Sequence, residues 1–129
     1  MEEAMVLGLG SDVIEIARIE ASIARFGERF LERVFTPAEI AYCQGKKQAA
    51  ESFAARFAAK EAAAKALGTG ISQGIVWQEI EVRREESGRP ALHWSGRALE
   101  LARALGVRRS LLSLTHGREI ALAVVVVED

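Results

Sequence analysis

The sequence predicts an α+β domain in which a small antiparallel sheet packs against helices. Three observations lead there. Residues 53–67 form an alanine-rich run of helical character that stops on Gly68. Residues 120–127 are apolar at every position, as in a strand covered on both faces. Strand-like alternation occupies both ends of the chain, with helical spacing in between. The 129 residues suffice for one hydrophobic core and are too few for two, so residues 1–129 read as a single domain.

The first strand is expected over Val6 to Asp12, with Val6, Gly8, Gly10 and Asp12 on one face and Leu7, Leu9 and Ser11 on the other. The glycine face is expected to be open, with Asp12 at the strand's end. Ile16, Ile19, Ile23, Phe26 and Phe30 then follow steps of three and four, the buried stripe of an amphipathic helix with an interruption expected near Gly27. Arg18, Arg25 and Arg29 form an exposed stripe beside it, Arg29 aligned only if the helix continues through Gly27. Thr36, Pro37 and Glu39 start another helix through a capping box with proline at its first position. The polar stretch from Cys43 to Glu51 reads as a loop or frayed helix end before the alanine-rich helix, for which Gly68 is the left-handed cap.

Beyond the glycine-rich loop the period changes to two. Val76, Gln78, Ile80 and Val82 alternate with Trp77, Glu79, Glu81 and Arg83, and a turn over Glu85 to Pro90 leads to a short strand around Leu92. Ser95 is placed to cap a helix running through Leu99, Ala102 and Leu105 to Gly106. The end of the chain reads as a hairpin, with Gly117 at the first central position of a type II′ turn. Its last strand belongs either at the centre of the sheet or in a contact between subunits.

The 17 basic and 18 acidic residues nearly cancel, which argues against a general nucleic-acid binder and requires any anionic partner to be met by local charge. Cys43 is the only cysteine, so an internal disulfide and a zinc cluster are excluded. A cytoplasmic location with no membrane span is expected, because the first residues lack a signal-peptide pattern and no apolar run is long enough to cross a bilayer.

Phe57, Glu61 and Lys65 follow one another at intervals of four, so they share one line along the helix. Either Glu61 and Lys65 form a solvated ion pair beside a core aromatic, or both point into a cleft. Asp12 fits a helix cap or a ligand equally well. His116 shares the parity of Leu112 and Leu114 and faces the core side of its strand, as a satisfied histidine or as a ligand contact. Cys43, Trp77 and Trp94 read as packing or interface residues.

Taken together, the segments GLGSDVIEIARI, FTPAEIAYC, ARFAAKEAAAKALGTG, WQEIEV and SLTHGREIALAVVV resemble the holo-acyl-carrier-protein synthases, the short bacterial type of 4′-phosphopantetheinyl transferase. The resemblance covers nearly the whole chain, and its specific parts are G-x-G-x-D-x-x-E and F-A-x-K-E-x-x-x-K-A. It implies magnesium-dependent transfer of 4′-phosphopantetheine from coenzyme A to a serine of apo acyl carrier protein, as in fatty acid biosynthesis, with adenosine 3′,5′-bisphosphate as the other product. By motif position it implies Asp12 and Glu61 as metal ligands and, with Lys65, as the catalytic set.

Lys65, His116, Arg56 and Lys47 fall at coenzyme A-binding positions, the last two toward the 3′-phosphate. Arg18 falls at a carrier-binding position, with Arg25 on the same helical face. The proton acceptor for the serine stays open among Asp12, Glu61 and a water on the metal. A homotrimer with active sites between subunits is implied as well. Ala63 stands where family members commonly carry phenylalanine, which puts packing and substrate tolerance in question. The rival reading is a noncatalytic coenzyme A or adenine-nucleotide binding module of the same fold; Asp12, Glu61 and Lys65 together argue for catalysis.

Overall fold

The computed structural model describes residues 3–129 of the chain. Its elements are β1 (Val6–Glu15), α1 (Ile16–Phe26), α2 (Glu28–Val34), α3 (Pro37–Gln44), α4 (Ala49–Ala66), β2 (Ile80–Arg84), β3 (Pro90–Trp94), α5 (Gly96–Leu105), β4 (Arg109–His116) and β5 (Ile120–Glu128). A single 3-10 turn, Trp77–Glu79, precedes β2. The expected α+β class is therefore observed, with every sheet pairing antiparallel.

The main sheet has the order β1-β5-β4, and β2 and β3 form a separate hairpin. The two-sided apolar pattern of the last strand is resolved: β5 lies at the centre. Ala121, Ala123, Val125 and Val127 are buried on one face, whereas Leu122, Val124 and Val126 are only half-buried on the other. Register places Gly10, Val125 and Leu112 in one row, Asp12, Ala123 and Leu114 in the next, and Ile14, Ala121 and His116 in a third. All three rows share the buried face, because side chains directly opposite across a ladder point the same way.

That face is covered by α4, and here the glycines matter. The glycine face of β1 is not open: a Cβ on Gly10 would overlap the Ala62 carbonyl oxygen and crowd the Ala66 nitrogen, and a Cβ on Gly8 would overlap the Ala66 carbonyl. The ligand that approaches the bare backbone is the helix itself. Ala58, Ala59, Ala62, Ala63, Ala64 and Ala66 are buried, so the helix has no side chain long enough to hold it off the sheet. Ala63 thus belongs to the core.

Other expectations need correction. β1 continues three residues past Asp12, so Asp12 lies within a strand, and the residue preceding α1 is Glu15. The break at Gly27 is real, with φ 56° and ψ −132°, and it puts Arg29 on α2. Phe26 does not join the buried stripe but is 48% exposed. Helix α4 starts at Ala49, earlier than its alanine run suggested, and ends as expected before Gly68, whose φ is 82°. Residues 76–79 are not strand. Ser95 occupies the cap position of α5 without a side-chain bond, and Glu79 does the capping by accepting from the Arg97 backbone N–H at 2.9 Å. The Gly117 φ lies outside the positive range a type II′ turn needs, and the hairpin closes through the Gly117 N–H to the Ile120 carbonyl at 3.0 Å.

The capping box of α3 is present, and Glu39 does more than cap. It is buried and pairs with the fully buried Lys60 at 2.7 Å, while its second oxygen accepts from the Val82 N–H at 2.8 Å. Lys60 also donates to the carbonyls of Ile80 (2.7 Å) and Trp77 (3.2 Å). Burial lowers the Lys60 pKa, against the raising pull of Glu39. Three donors meeting three acceptors is what allows this charge to stay in the core, and the pair locks α3, α4 and β2 into one frame.

Candidate active site

Helix α4 and strand β1 bring Asp12, Glu61 and Lys65 together. Because the glycines let α4 settle on the strand backbone, a side chain in the last turn of the helix reaches across to β1. The Lys65 ammonium donates to Asp12 Oδ1 at 3.0 Å and to the Ser11 carbonyl at 3.1 Å. Among the described residues it makes no ion pair with Glu61, so the solvated i,i+4 pair is not what forms. Burial pushes the Glu61 carboxyl above the usual range, the Asp12 carboxylate pushes it further, and Lys65 offsets only part.

A carboxylate whose proton affinity is raised by burial and by a neighbouring carboxylate is a ready site for a hard divalent cation, which would relieve the repulsion. Among the described residues no cluster of three or more His, Cys, Asp or Glu could hold a metal, so the pair would leave most positions of an octahedral ion to water and substrate oxygens. The donor set fits magnesium on that chemistry. Phe57, on the same line of α4, stacks on Trp77 with ring centroids 4.9 Å apart and closes the apolar end of this helix face.

A second, cationic cleft of about 440 Å³ lies on the other flank of α4. Arg56, Lys47 and His116 all line it, as do Tyr42, Lys46 and Arg84, and among the described residues no carboxylate is in its wall. Arg56 is 96% buried by its 4% exposure, packs its guanidinium 4.1 Å from the centre of the Tyr42 ring, and leaves its Nε without a partner. A buried, unpaired guanidinium N–H beside further cations suits an anion. Lys46 and Arg84 lie 4.6 and 5.4 Å from the same ring. Burial pushes the Tyr42 hydroxyl up, but Arg84, Lys46 and Arg56 outweigh it and leave it below the ordinary phenol value.

Tyr42, Lys46 and Arg84 were not among the expected site residues. Arg84 was within reach of sequence reasoning, since it shares parity with the buried Ile80 and Val82 on β2. Tyr42 was not, because only Lys46 is near it in sequence, while Arg56 and Arg84 come from a separate helix and a strand. Cys43, next to it, is fully buried with its thiol pushed up to about 11, an inert packing residue. Trp94 donates to Ser110 Oγ at 3.2 Å and also packs against the core.

The family model described as the 4′-phosphopantetheinyl transferase superfamily matches residues 8–125. The chain belongs to this family. A relative within the superfamily, the holo-[acyl-carrier-protein] synthase of Koribacter versatilis, is 54% identical over 125 residues, covering 97% of this chain and 100% of the relative. The crystal structure of holo-[acyl-carrier-protein] synthase from Neisseria meningitidis superposes with a TM-score of 0.88 at 34% identity, covering 97% of this chain and 100% of the other. The Helicobacter pylori synthase, solved in complex with coenzyme A, superposes with a TM-score of 0.82 at 35% identity over 92% of this chain and 98% of its own. The transferase fold thus carries both the carboxylate pair and the cationic cleft.

Proposed function

We infer that this protein transfers 4′-phosphopantetheine from coenzyme A to a serine hydroxyl of apo acyl carrier protein, releasing adenosine 3′,5′-bisphosphate. The observation that carries the reading is the convergence of Asp12, Glu61 and Lys65 on one side of α4 within a chain that belongs to the transferase superfamily. Asp12 and Glu61 would hold magnesium, which when bound supplies positive charge at the reacting phosphates. Lys65, already at this spot, neutralises phosphate oxygens whose charge grows as the serine oxygen bonds to phosphorus and the nucleotide phosphate leaves. Arg56, Lys47 and His116 hold the nucleotide end of the substrate, with the 3′-phosphate against Arg56.

The two groups of residues face different ways. Five residues separate Arg56 from Glu61 and nine separate it from Lys65, turns of about 140° and 180° around the helix axis at about 100° per residue. One coenzyme A can engage both groups most simply where the carboxylate flank of one protomer meets the cationic flank of another. The outer face of the sheet supports such an assembly: Leu9 and Val13 are 66% and 55% exposed and lie beside the half-buried Leu122, Val124 and Val126. A monomer rarely leaves a contiguous apolar surface of this kind open. We take the assembly to be a homotrimer with the active sites between subunits.

For the carrier, the supporting surface is α1. Arg18 and Arg25 are exposed on it, Arg25 stands 5.1 Å from the ring centre of the exposed Phe26, and Phe26, Phe30, Arg29 and Arg33 surround a shallow hollow of about 260 Å³. An apolar patch ringed by arginines suits an acidic helical partner. A cytoplasmic site of action fits these substrates, and among the described residues no helix is long and apolar enough to cross a membrane. Chromatography of the nucleotide product tests the reading: adenosine 3′,5′-bisphosphate should appear from coenzyme A and magnesium only when apo carrier is added. Release without carrier, or none with several carriers, would overturn it.

A further inference from the structure

His116 stands at the exposed end of β4, where a free imidazole would rotate, yet its Nδ1 lies 3.2 Å from Glu51 Oε1. Glu51 sits in the first turn of α4, the same helix that supplies Ser52, Ala55 and Arg56 to the cationic cleft, but Glu51 does not itself line that cleft. The carboxylate meets the ring at Nδ1, and the same His116 lines the cleft. An ionised carboxylate only accepts hydrogen bonds, so the proton in this contact belongs to Nδ1, and the Nε2 edge is the one left for a ligand. The contact joins two elements, and the partially buried Glu51 has lost much of its own freedom, so holding the ring costs little extra order.

We propose that Glu51 is a positioning residue for coenzyme A binding: its carboxylate holds His116 by Nδ1 so that Nε2 faces the cleft. The proposal rests on the reading that His116 meets a coenzyme A phosphate. It places no negative charge in the cleft, because Glu51 stays behind the imidazole.

The test uses the full chain. Only two histidines, His93 and His116, are present, so nitrogen-detected NMR of the imidazoles resolves the ring of interest without ligand. In the native protein the neutral His116 ring should be the Nδ1–H tautomer. Glu51→Ala should return it to the ordinary Nε2–H form, and Glu51→Gln, whose amide oxygen still accepts, should retain Nδ1–H. The KM for coenzyme A should rise about tenfold in Glu51→Ala, the loss of one hydrogen bond's worth of organisation, with the KM for carrier and kcat nearly unchanged. Glu51→Gln should recover most of it. In a His116→Ala background, Glu51→Ala should add nothing further.

An Nε2–H ring in the native protein, or additive effects of Glu51→Ala and His116→Ala, would overturn the proposal. The separate finding that His116→Ala leaves the KM for coenzyme A unchanged would remove the phosphate contact on which it rests, whatever the NMR shows for Glu51.

Discussion

Glu61 is held in a state that costs the fold stability at neutral pH. Its carboxyl sits above the usual range because of burial and then Asp12, so the folded chain binds that proton more tightly than the unfolded chain does. The stabilising contribution of the protonated form is full below the ordinary glutamate pKa and is lost as pH rises through the raised value of the folded state. At neutral pH the ionised group is therefore a liability unless a cation answers it. Glu61→Gln should raise the melting temperature of the free protein at pH 7 by about 1–2 °C. It should also cut transfer by at least about 10²-fold. Magnesium or manganese should stabilise the native chain and not the variant, by mass action on the folded state. A variant that melts lower than native and still gains stability from magnesium would contradict this account of the site.

At the scale of elements, the distance between Asp12 and Glu61 depends on how closely α4 rests on β1. Gly10→Ala puts a methyl group into the backbone of that helix, where nothing flexible can give way, and should cost about 1–3 kcal/mol in urea denaturation. An unchanged midpoint would show that the close approach is dispensable. On α1, Arg18→Glu should raise the KM for carrier about tenfold or more, leave that for coenzyme A nearly unchanged, and flatten the salt dependence of the rate. Equal damage to both constants would place Arg18 in the fold or the coenzyme site.

Much of this organisation is legible in the chain. The step pattern of the isoleucines, the capping box at Thr36 and Glu39, and the common line of Phe57, Glu61 and Lys65 are local features, and local features survive folding. What was misread depends on partners remote in sequence. The glycine face looks open until the alanine helix that covers it is in place, and Glu39 looks like a cap alone until Lys60 arrives beneath it. Tyr42 carried no sign of three cations, and nothing in the spacing pairs Glu51 with His116.

For the whole molecule, the division of the site between the two flanks of α4 predicts complementation. Glu61→Gln and Arg56→Met should each be nearly inactive alone. Dissociated and reassembled together, they should regain a substantial part of native activity, because some shared sites then receive Glu61 from one protomer and Arg56 from the other. No recovery after verified mixing would place each site within one chain. The central claim, that this chain moves phosphopantetheine onto a carrier serine through the Asp12–Glu61 pair, is tested most directly by intact mass spectrometry of apo acyl carrier protein incubated with coenzyme A and magnesium. The account predicts a gain of one phosphopantetheine with the native protein and almost none with Asp12→Asn. A carrier left unmodified by the native protein, or modified equally by the variant, would contradict it.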